Sequence, residues 1–194
     1  HNPVRAGPEP SAGAVAAADE LWGVRAGRRI LSVGSFKAQK NHALLMRAFA
    51  RLSDAEARLM LLGNGSMEDE LRRLAAELGI AERVIFAGFR PDPTPFYMTA
   101  DLFVLSSNYE GFGNVIVEAL ACGTPVVSTD CPSGPAEILE HGRYGRLVPV
   151  GDVAALAEGM AAALAERPDP SLLKQRARDF APEKAAARYL GCLT

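Results

Sequence analysis

Short apolar runs alternate with amphipathic stretches along most of the chain. Six apolar runs have the length of buried parallel strands, and most of them end in Gly, Ser or Asn: Arg29–Val33, Arg58–Leu62, Val84–Phe86, Asp101–Leu105, Pro125–Ser128 and Arg146–Val148. The intervening and following patterns predict helices at Asn41–Leu52, Met67–Leu78, Thr94–Thr99, Asn114–Ala121, Pro135–Glu140 and Val153–Ala165, and a helical tail at Leu172–Leu190 that Pro182 breaks. This alternation predicts an α/β fold with a doubly wound parallel sheet of about six strands, right-handed crossovers and helices on both faces.

Capping residues and composition refine the predicted elements. Ser66 with Asp69 resembles a capping box for the helix Met67–Leu78, and Gly79 is expected to end that helix. Residues 1–28 are rich in Ala, Gly and Pro and are interpreted as a linker or hinge segment with a short helix at Ala14–Trp22. Residues 29–194 are interpreted as one domain.

Bulk properties exclude several classes of protein. The 194 residues are 48% hydrophobic and 23% charged, as in soluble globular proteins, and the net charge of −2 gives no reason to expect nucleic acid. No apolar run is long enough to span a bilayer, and no signal peptide is recognisable. The cysteines form no C-x-x-C pair, and the histidines lack metal-site spacing. A cytoplasmic protein without a bound metal is therefore expected.

Ligands of such a sheet bind in the crevice outside the carboxyl ends of the strands. One loop at that edge holds the most informative stretch of the chain, Glu110-Gly111-Phe112-Gly113-Asn114-Val115-Ile116-Val117-Glu118. Its glycine turn opens a helix, where free N–H groups and the helix dipole favour an anion. The two carboxylates would repel a bare phosphate but would accept hydrogen bonds from sugar hydroxyls. The stretch therefore predicts a ligand that joins a phosphate to a sugar.

A longer ordered series of residues carries a family resemblance. The two glutamates are followed by Ala-Leu-Ala-Cys-Gly-Thr-Pro-Val-Val at 119–127, and related runs occupy 30–34, 40–41, 128–139 and 142–148. This series resembles the signature of the retaining GT-B glycosyltransferases of the group 1 (family four) class. The resemblance implies that the chain is the second, donor-binding Rossmann-like domain of a GT-B fold. We expect the N-terminal acceptor domain to lie outside this chain, and this chain alone to bind nucleotide without efficient sugar transfer.

The resemblance also implies roles for individual residues. Glu118 would accept hydrogen bonds from the ribose hydroxyls, and Glu110 would lie beside the donor hexose. Lys40 would reach the diphosphate and offset charge on the departing nucleotide. Glu110 and Lys40 are therefore the candidate catalytic residues, with the glutamates orienting the donor rather than acting as an acid/base pair. Backbone amides would bind the distal phosphate and the sugar at Gly111, Phe112, Gly113, Asn114 and Val115.

Four other candidate donor-binding positions are Gly34, Ser35, Lys37 and Arg90. The family usually has an arginine directly after the glycine at 34, where this chain has Ser35. Lys37 could supply the missing cation, although a lysine is not a bidentate guanidinium. Arg90 either lines the base subsite or faces solvent, and the side chain of Asn114 either contacts the ligand or caps the helix.

The predicted function is donor binding in a retaining glycosyltransferase that transfers a hexose or N-acetylhexosamine to a glycan, lipid-linked or other acceptor. A UDP-sugar is the expected donor, with no cofactor, and the full-length enzyme could be peripheral at the inner face of the membrane. Two alternatives stay open: a non-catalytic nucleotide-binding or assembly module, and a sugar-nucleotide epimerase domain. A nicotinamide-binding domain is disfavoured because the glycines at 63 and 65 lack the third glycine of G-x-G-x-x-G.

Overall fold

A parallel sheet of six strands forms the centre of the fold. In the computed structural model, which describes residues 9–23, 27–166 and 168–182, the strands are β1 (Arg29–Val33), β2 (Arg58–Leu62), β3 (Val84–Gly88), β4 (Leu102–Leu105), β5 (Val126–Thr129) and β6 (Arg146–Val148). Their spatial order is β3-β2-β1-β4-β5-β6, and every neighbouring pair is parallel. This order is that of Rossmann-type doubly wound sheets, so the predicted fold class is confirmed.

Helices cover both faces of this sheet. They are α1 (Ala12–Trp22), α2 (His42–Phe49), α3 (Glu68–Glu77), α4 (Thr94–Thr99), α5 (Asn114–Cys122), α6 (Pro135–Ile138), α7 (Val153–Ala165) and α8 (Pro170–Ala177). One core layer joins α2, α3 and α7 to strand residues such as Ile30 and Leu59. The other joins α1, α4, α5 and α8 to Leu31 and Met60, the strand residues that directly follow Ile30 and Leu59. Alternate strand residues therefore feed two separate cores, as buried parallel strands require.

The start of α3 differs from the prediction. Met67 is its N-cap residue, without a side-chain hydrogen bond, so the predicted capping by Ser66 and Asp69 is wrong. The amide of Met67 instead donates to the carbonyl of Phe36 at 3.2 Å, because the loop after β1 packs against this helix start. The predicted end is confirmed: Gly79 has φ +67°, and its amide donates to the carbonyl of Ala76.

The last described helix ends before the predicted break at Pro182. It begins at Pro170, ends at Ala177 and continues as a 3-10 turn over Arg178–Phe180. Ala181 is extended, with ψ 145°, because a residue before proline avoids the helical region, and Pro182 follows. The rest of the predicted helix, from residue 183, lies outside the described residues.

Helix α1 packs on the body of the domain through Trp22. The indole is fully buried, and its Nε1 donates to Thr99 Oγ1 at 3.0 Å. The buried guanidinium of Arg29 lies over the same indole and pairs with Asp19 of α1. The predicted helix in this segment is thus present, while the division at residue 28 stays a prediction.

The strand order places a ligand crevice between β1 and β4. These strands are neighbours in the sheet, with Ile30 opposite Leu102 and Leu31 opposite Phe103. The chain leaves β1 towards β2 on one side and leaves β4 towards β5 on the other, so the loops after them diverge. We call residues 34–41 the β1 loop and residues 106–113 the β4 loop. A doubly wound sheet binds its ligand between two such loops.

Candidate functional site

The two predicted catalytic residues meet across this crevice. Lys40 of the β1 loop donates from Nζ to Glu110 Oε1 of the β4 loop at 2.6 Å. Ser107 donates from Oγ to the same oxygen, also at 2.6 Å. The Glu110 side chain is 6% exposed and that of Lys40 is 18% exposed. The stem of Lys40 runs past Gly34, where an added Cβ would stand 3.4 Å from Lys40 Cε.

Further hydrogen bonds hold the two loops together. Asn41 Nδ2 donates to Asn108 Oδ1 at 2.9 Å, and the Asn108 amide donates to the carbonyl of Gln39 at 2.8 Å. The hydroxyl of Ser106 donates to the carbonyl of Lys40 at 2.9 Å. The backbone of Lys40 is thus fixed by the neighbouring loop as well as by its own.

The glycine turn and the helix start occupy the same edge of the sheet. Gly113, with φ +94°, is the N-cap residue of α5, and Asn114 is the first helical residue. No side chain caps this helix, so the suggestion that Asn114 caps it is wrong, because the capping position belongs to a glycine. The first N–H groups of an α-helix have no partner within the helix, so those of Asn114 and Val115 are candidate anion donors.

The aromatic residue of the turn, Phe112, packs against the C-terminal part of the domain. Phe112 stacks edge-on against Phe180 of the C-terminal 3-10 turn, with ring centroids 5.8 Å apart. Its carbonyl passes so close to Gly134 that a Cβ there would lie 1.6 Å from the oxygen. Gly111, in contrast, is exposed and has no atom within 4 Å of such a Cβ.

Glu118 lies on the second turn of α5 and has a partner that the sequence did not indicate. Tyr97 of α4 donates from its hydroxyl to Glu118 Oε2 at 3.0 Å. Burial raises the pKa of Glu118, the hydrogen bond from Tyr97 opposes that rise, and the nearby charge of Asp92 adds to it. Burial first, and then Glu118, raise the pKa of Tyr97, so this phenol stays protonated and donates.

The remaining candidates are arranged differently. Ser35 is half-buried, and its carbonyl accepts from the amide of Lys37. Lys37 is exposed and lines a cavity of about 150 Å³ together with His42, Met67 and Leu71. Arg90 is exposed in the loop that follows β3. These residues share the edge of the sheet with the Lys40–Glu110 pair. The carbonyl of Lys37 accepts from the Lys40 amide at 3.0 Å, but the Lys37 ammonium has no hydrogen bond to Lys40 or Glu110 among the described residues.

Four polar residues of the site were missed from the sequence: Tyr97, Ser106, Ser107 and Asn108. The serines and the asparagine lie two to four residues before Glu110, so their position in a crevice loop was an available signal. Tyr97 gave none, because its hydroxyl reaches the site only through the packing of α4 on α5. In the part of the chain that the structure describes, no three His, Cys, Asp or Glu side chains are grouped to hold a metal ion. No helix described there is long and apolar enough to cross a membrane.

The architecture is that of a doubly wound α/β domain with a polar ligand crevice at its β1/β4 switch point. Residues 25–180 match the family model described as glycosyl transferases group 1. The chain therefore belongs to this family, as its motifs predicted.

Two curated relatives are similar over most of this chain. The first is the N-acetylgalactosamine-N,N'-diacetylbacillosaminyl-diphospho-undecaprenol 4-alpha-N-acetylgalactosaminyltransferase of Campylobacter jejuni, 41% identical over 68% of this chain and 36% of that protein. The second is the lipopolysaccharide core biosynthesis glycosyltransferase LpsE of Rhizobium meliloti, 39% identical over 82% of this chain and 45% of that protein. The chain thus spans less than half the length of these relatives.

A solved structure shares the architecture. HepE of Anabaena in complex with UDP-glucose superposes with a TM-score of 0.66 at 26% identity, over 88% of this chain and 52% of that one. The shared region is again about half of the longer protein.

Proposed function

We propose that this chain is the C-terminal, donor-binding domain of a retaining group 1 glycosyltransferase, and that it binds a UDP-sugar in the crevice between the β1 and β4 loops. The observation that carries the proposal is the start of α5. The amides of Asn114 and Val115 have no acceptor among the described residues, and in sequence they lie between two carboxylates that the fold holds in place, Glu110 through Lys40 and Glu118 through Tyr97.

The three parts of a nucleotide sugar match three parts of this crevice. The amides at the start of α5 and the Lys40 ammonium offer donors and positive charge to a diphosphate. Glu118 offers carboxylate oxygens to ribose hydroxyls, and Glu110 offers them to the hydroxyls of the transferred sugar. The exposed loop with Arg90 would lie along the base.

The chemistry assigned to these residues is electrostatic. As the bond between the anomeric carbon and the diphosphate oxygen breaks, negative charge grows on the leaving oxygen. Lys40 and the α5 amides would stabilise that charge, an effect typically worth about 3 kcal/mol per donor. The acceptor hydroxyl bonds to the anomeric carbon and releases its proton, with groups for that step supplied outside this chain. The glutamates orient the donor.

Donor and acceptor classes are supported by the relatives. The Anabaena structure holds UDP-glucose, and the Campylobacter enzyme is named for transfer of N-acetylgalactosamine to a diphospho-undecaprenol-linked sugar. We therefore propose a UDP-hexose or UDP-N-acetylhexosamine as donor, and a lipid-linked glycan or lipopolysaccharide core as acceptor of the full-length enzyme. No metal is required in this scheme.

The test is the thermal midpoint of this chain with and without UDP, GDP, ADP, UDP-GlcNAc and NAD. A ligand present at about 100 times its dissociation constant stabilises the fold by roughly 2.7 kcal/mol, which such a measurement detects. We expect a shift with UDP and UDP-GlcNAc that is lost in Glu118→Ala. A shift with GDP or ADP alone would overturn the assignment of the base.

A second candidate is a non-catalytic binding or assembly module on the same fold. It is favoured by Ser35, which stands where the family usually has an arginine. Absence of binding by every nucleotide sugar would support this candidate. Sugar transfer by the purified chain, abolished by Glu110→Ala, would refute both this candidate and our expectation that the chain alone is inactive.

A further inference from the structure

The buried residue Tyr97 carries a hydroxyl that the packing of its ring does not require. The Tyr97 side chain is 1% exposed, and its ring stacks edge-on against Phe103 with centroids 5.4 Å apart. A phenylalanine would fill the same space. The hydroxyl is placed so that it donates to Glu118 Oε2, 21 residues away in sequence.

Tyr97 is anchored on both sides. Its backbone carbonyl accepts a hydrogen bond from Thr124 Oγ1 at 2.8 Å, in a fully buried contact just beyond the end of α5. The ring packs within the core layer that contains α4 and α5. The hydroxyl therefore keeps a fixed position relative to α5, and its hydrogen bond fixes the orientation of the Glu118 carboxylate.

The hydrogen bond from Tyr97 also makes the two carboxylate oxygens of Glu118 different from each other. Tyr97 occupies Oε2, and no donor from the described residues contacts Oε1. Oε1 is thus the oxygen left for ligand hydroxyls, and a carboxylate oxygen can accept more than one hydrogen bond.

We propose that Tyr97 is a positioning residue, which aims Glu118 at the ribose and so makes the site prefer ribonucleotides to 2'-deoxyribonucleotides. This inference rests on the proposed donor site. Its new content is the buried residue on which the discrimination depends.

Charge supports the same role. The hydrogen bond from Tyr97 favours the ionised form of Glu118, whereas burial and Asp92 disfavour it. Cys122 is on the same helix and faces Tyr97 and Glu118, and Lys174 of α8 lies near that thiol. Tyr97→Phe should therefore raise the pKa of Glu118 further. Because ribose hydroxyls bind the ionised carboxylate, the pH below which nucleotide affinity falls should move upward.

The experiment compares the dissociation constants of UDP and 2'-deoxy-UDP by calorimetry. We expect the wild-type protein to prefer UDP by about tenfold, the size expected for a hydrogen bond to a charged group. Tyr97→Phe should reduce that preference to below threefold, mainly by weakening UDP. Tyr144→Phe is the control, because Tyr144 is half-buried beside Arg143 and Arg176 rather than at Glu118.

Two further variants separate the outcomes. Glu118→Gln should remove the preference as well, and the double variant with Tyr97→Phe should lose nothing more, because both changes act on one contact. If Glu118→Gln loses the preference while Tyr97→Phe keeps both the preference and the pH midpoint of the wild type, the role of Tyr97 is refuted and the donor site stands. If the wild-type protein binds neither nucleotide, the donor site and this inference are both refuted.

Discussion

The Lys40 ammonium and the Glu110 carboxylate form an ion pair at 2.6 Å, although 70 residues separate them in sequence. The charge of Lys40 is therefore already balanced in the free site. A diphosphate that approaches the start of α5 competes with Glu110 for this ammonium. The β1 loop need not fold around the ligand, since the pair already holds it against the β4 loop.

Removing Lys40 should destabilise the fold. Lys40→Met leaves the poorly exposed Glu110 carboxylate with Ser107 as its remaining described donor, so we expect the free energy of unfolding to fall by about 3 kcal/mol. Glu110→Gln in the same background removes the unpaired charge and should recover part of the loss. Urea unfolding of both single variants and the double variant measures the coupling energy. A coupling energy near zero would show that solvent screens the pair.

Ser107 should affect the sugar more than the nucleotide. It is fully buried, and its hydroxyl holds the carboxylate proposed to contact the transferred sugar. We expect Ser107→Ala to weaken the binding of UDP-GlcNAc by about tenfold, since one hydrogen bond to the charged Glu110 is lost. The binding of UDP, which lacks the sugar, should weaken by less than twofold. Ser32→Ala alters a serine of β1 that is also buried, and it should leave the dissociation constants of both ligands unchanged. Equal weakening of the two ligands by Ser107→Ala would contradict the role given to Glu110.

Mild acid should destabilise the fold through His42. This residue is 3% exposed, its Nδ1 has no hydrogen-bond partner among the described residues, and burial followed by Lys40 lowers its pKa to about 4. The unfolded chain binds a proton near pH 6.5 and the folded protein does not, so stability is full above pH 6.5 and falls towards pH 4. The loss should reach about 3 kcal/mol at the acid end.

The measurement is urea unfolding at pH 7, 5.5 and 4.5. His42→Leu should flatten the pH dependence, whereas His141→Asn, at an exposed turn position with φ +53°, should keep it. A pH dependence that is identical in His42→Leu and the wild type would assign the acid sensitivity to other groups.

Alanine should be far more destabilising at Gly134 than at Gly111. At Gly134, with φ +104°, a Cβ would overlap the Phe112 carbonyl, so Gly134→Ala should cost about 3 kcal/mol or more and disturb nucleotide binding. At Gly111 the space is open and φ is not positive, so Gly111→Ala should be tolerated within about 1 kcal/mol. Thermal unfolding and UDP titration of both variants test this contrast. Equal destabilisation by the two changes would mean that the backbone at Phe112 shifts at little cost to make room for a side chain at 134.

The sheet could be predicted from sequence because its strands are buried on both faces. Three of the six strands, β1, β2 and β6, have the predicted bounds, and the other three differ by one or two residues at their ends. Helix ends were harder, since they depend on what packs against them. The backbone of Phe36, which takes the place of a capping side chain at α3, lies about thirty residues earlier in the chain.

The site was predictable only to the extent that it follows local chain geometry. The glycine turn and the position of Glu118 on α5 follow from a strand end and a helix start. The sequence did not reveal the hydrogen bonds that fix the carboxylates of Glu110 and Glu118. Tyr97 and Ser107 matter because of where α4 and the β4 loop pack, and no pattern of spacing encodes a hydrogen bond between different elements.

The adjacency of β1 and β4 has a kinetic consequence. Strands β1–β3 and β4–β6 are each assembled from neighbours in sequence, whereas Ile30 and Leu102 pair across the intervening chain. Contacts between such distant segments form slowly, because loop closure must come first. Lys40 and Glu110 belong to different halves, so they can meet only after this junction closes. Nucleotide binding during refolding would therefore report the joining of the two halves, and a bound donor would slow their separation.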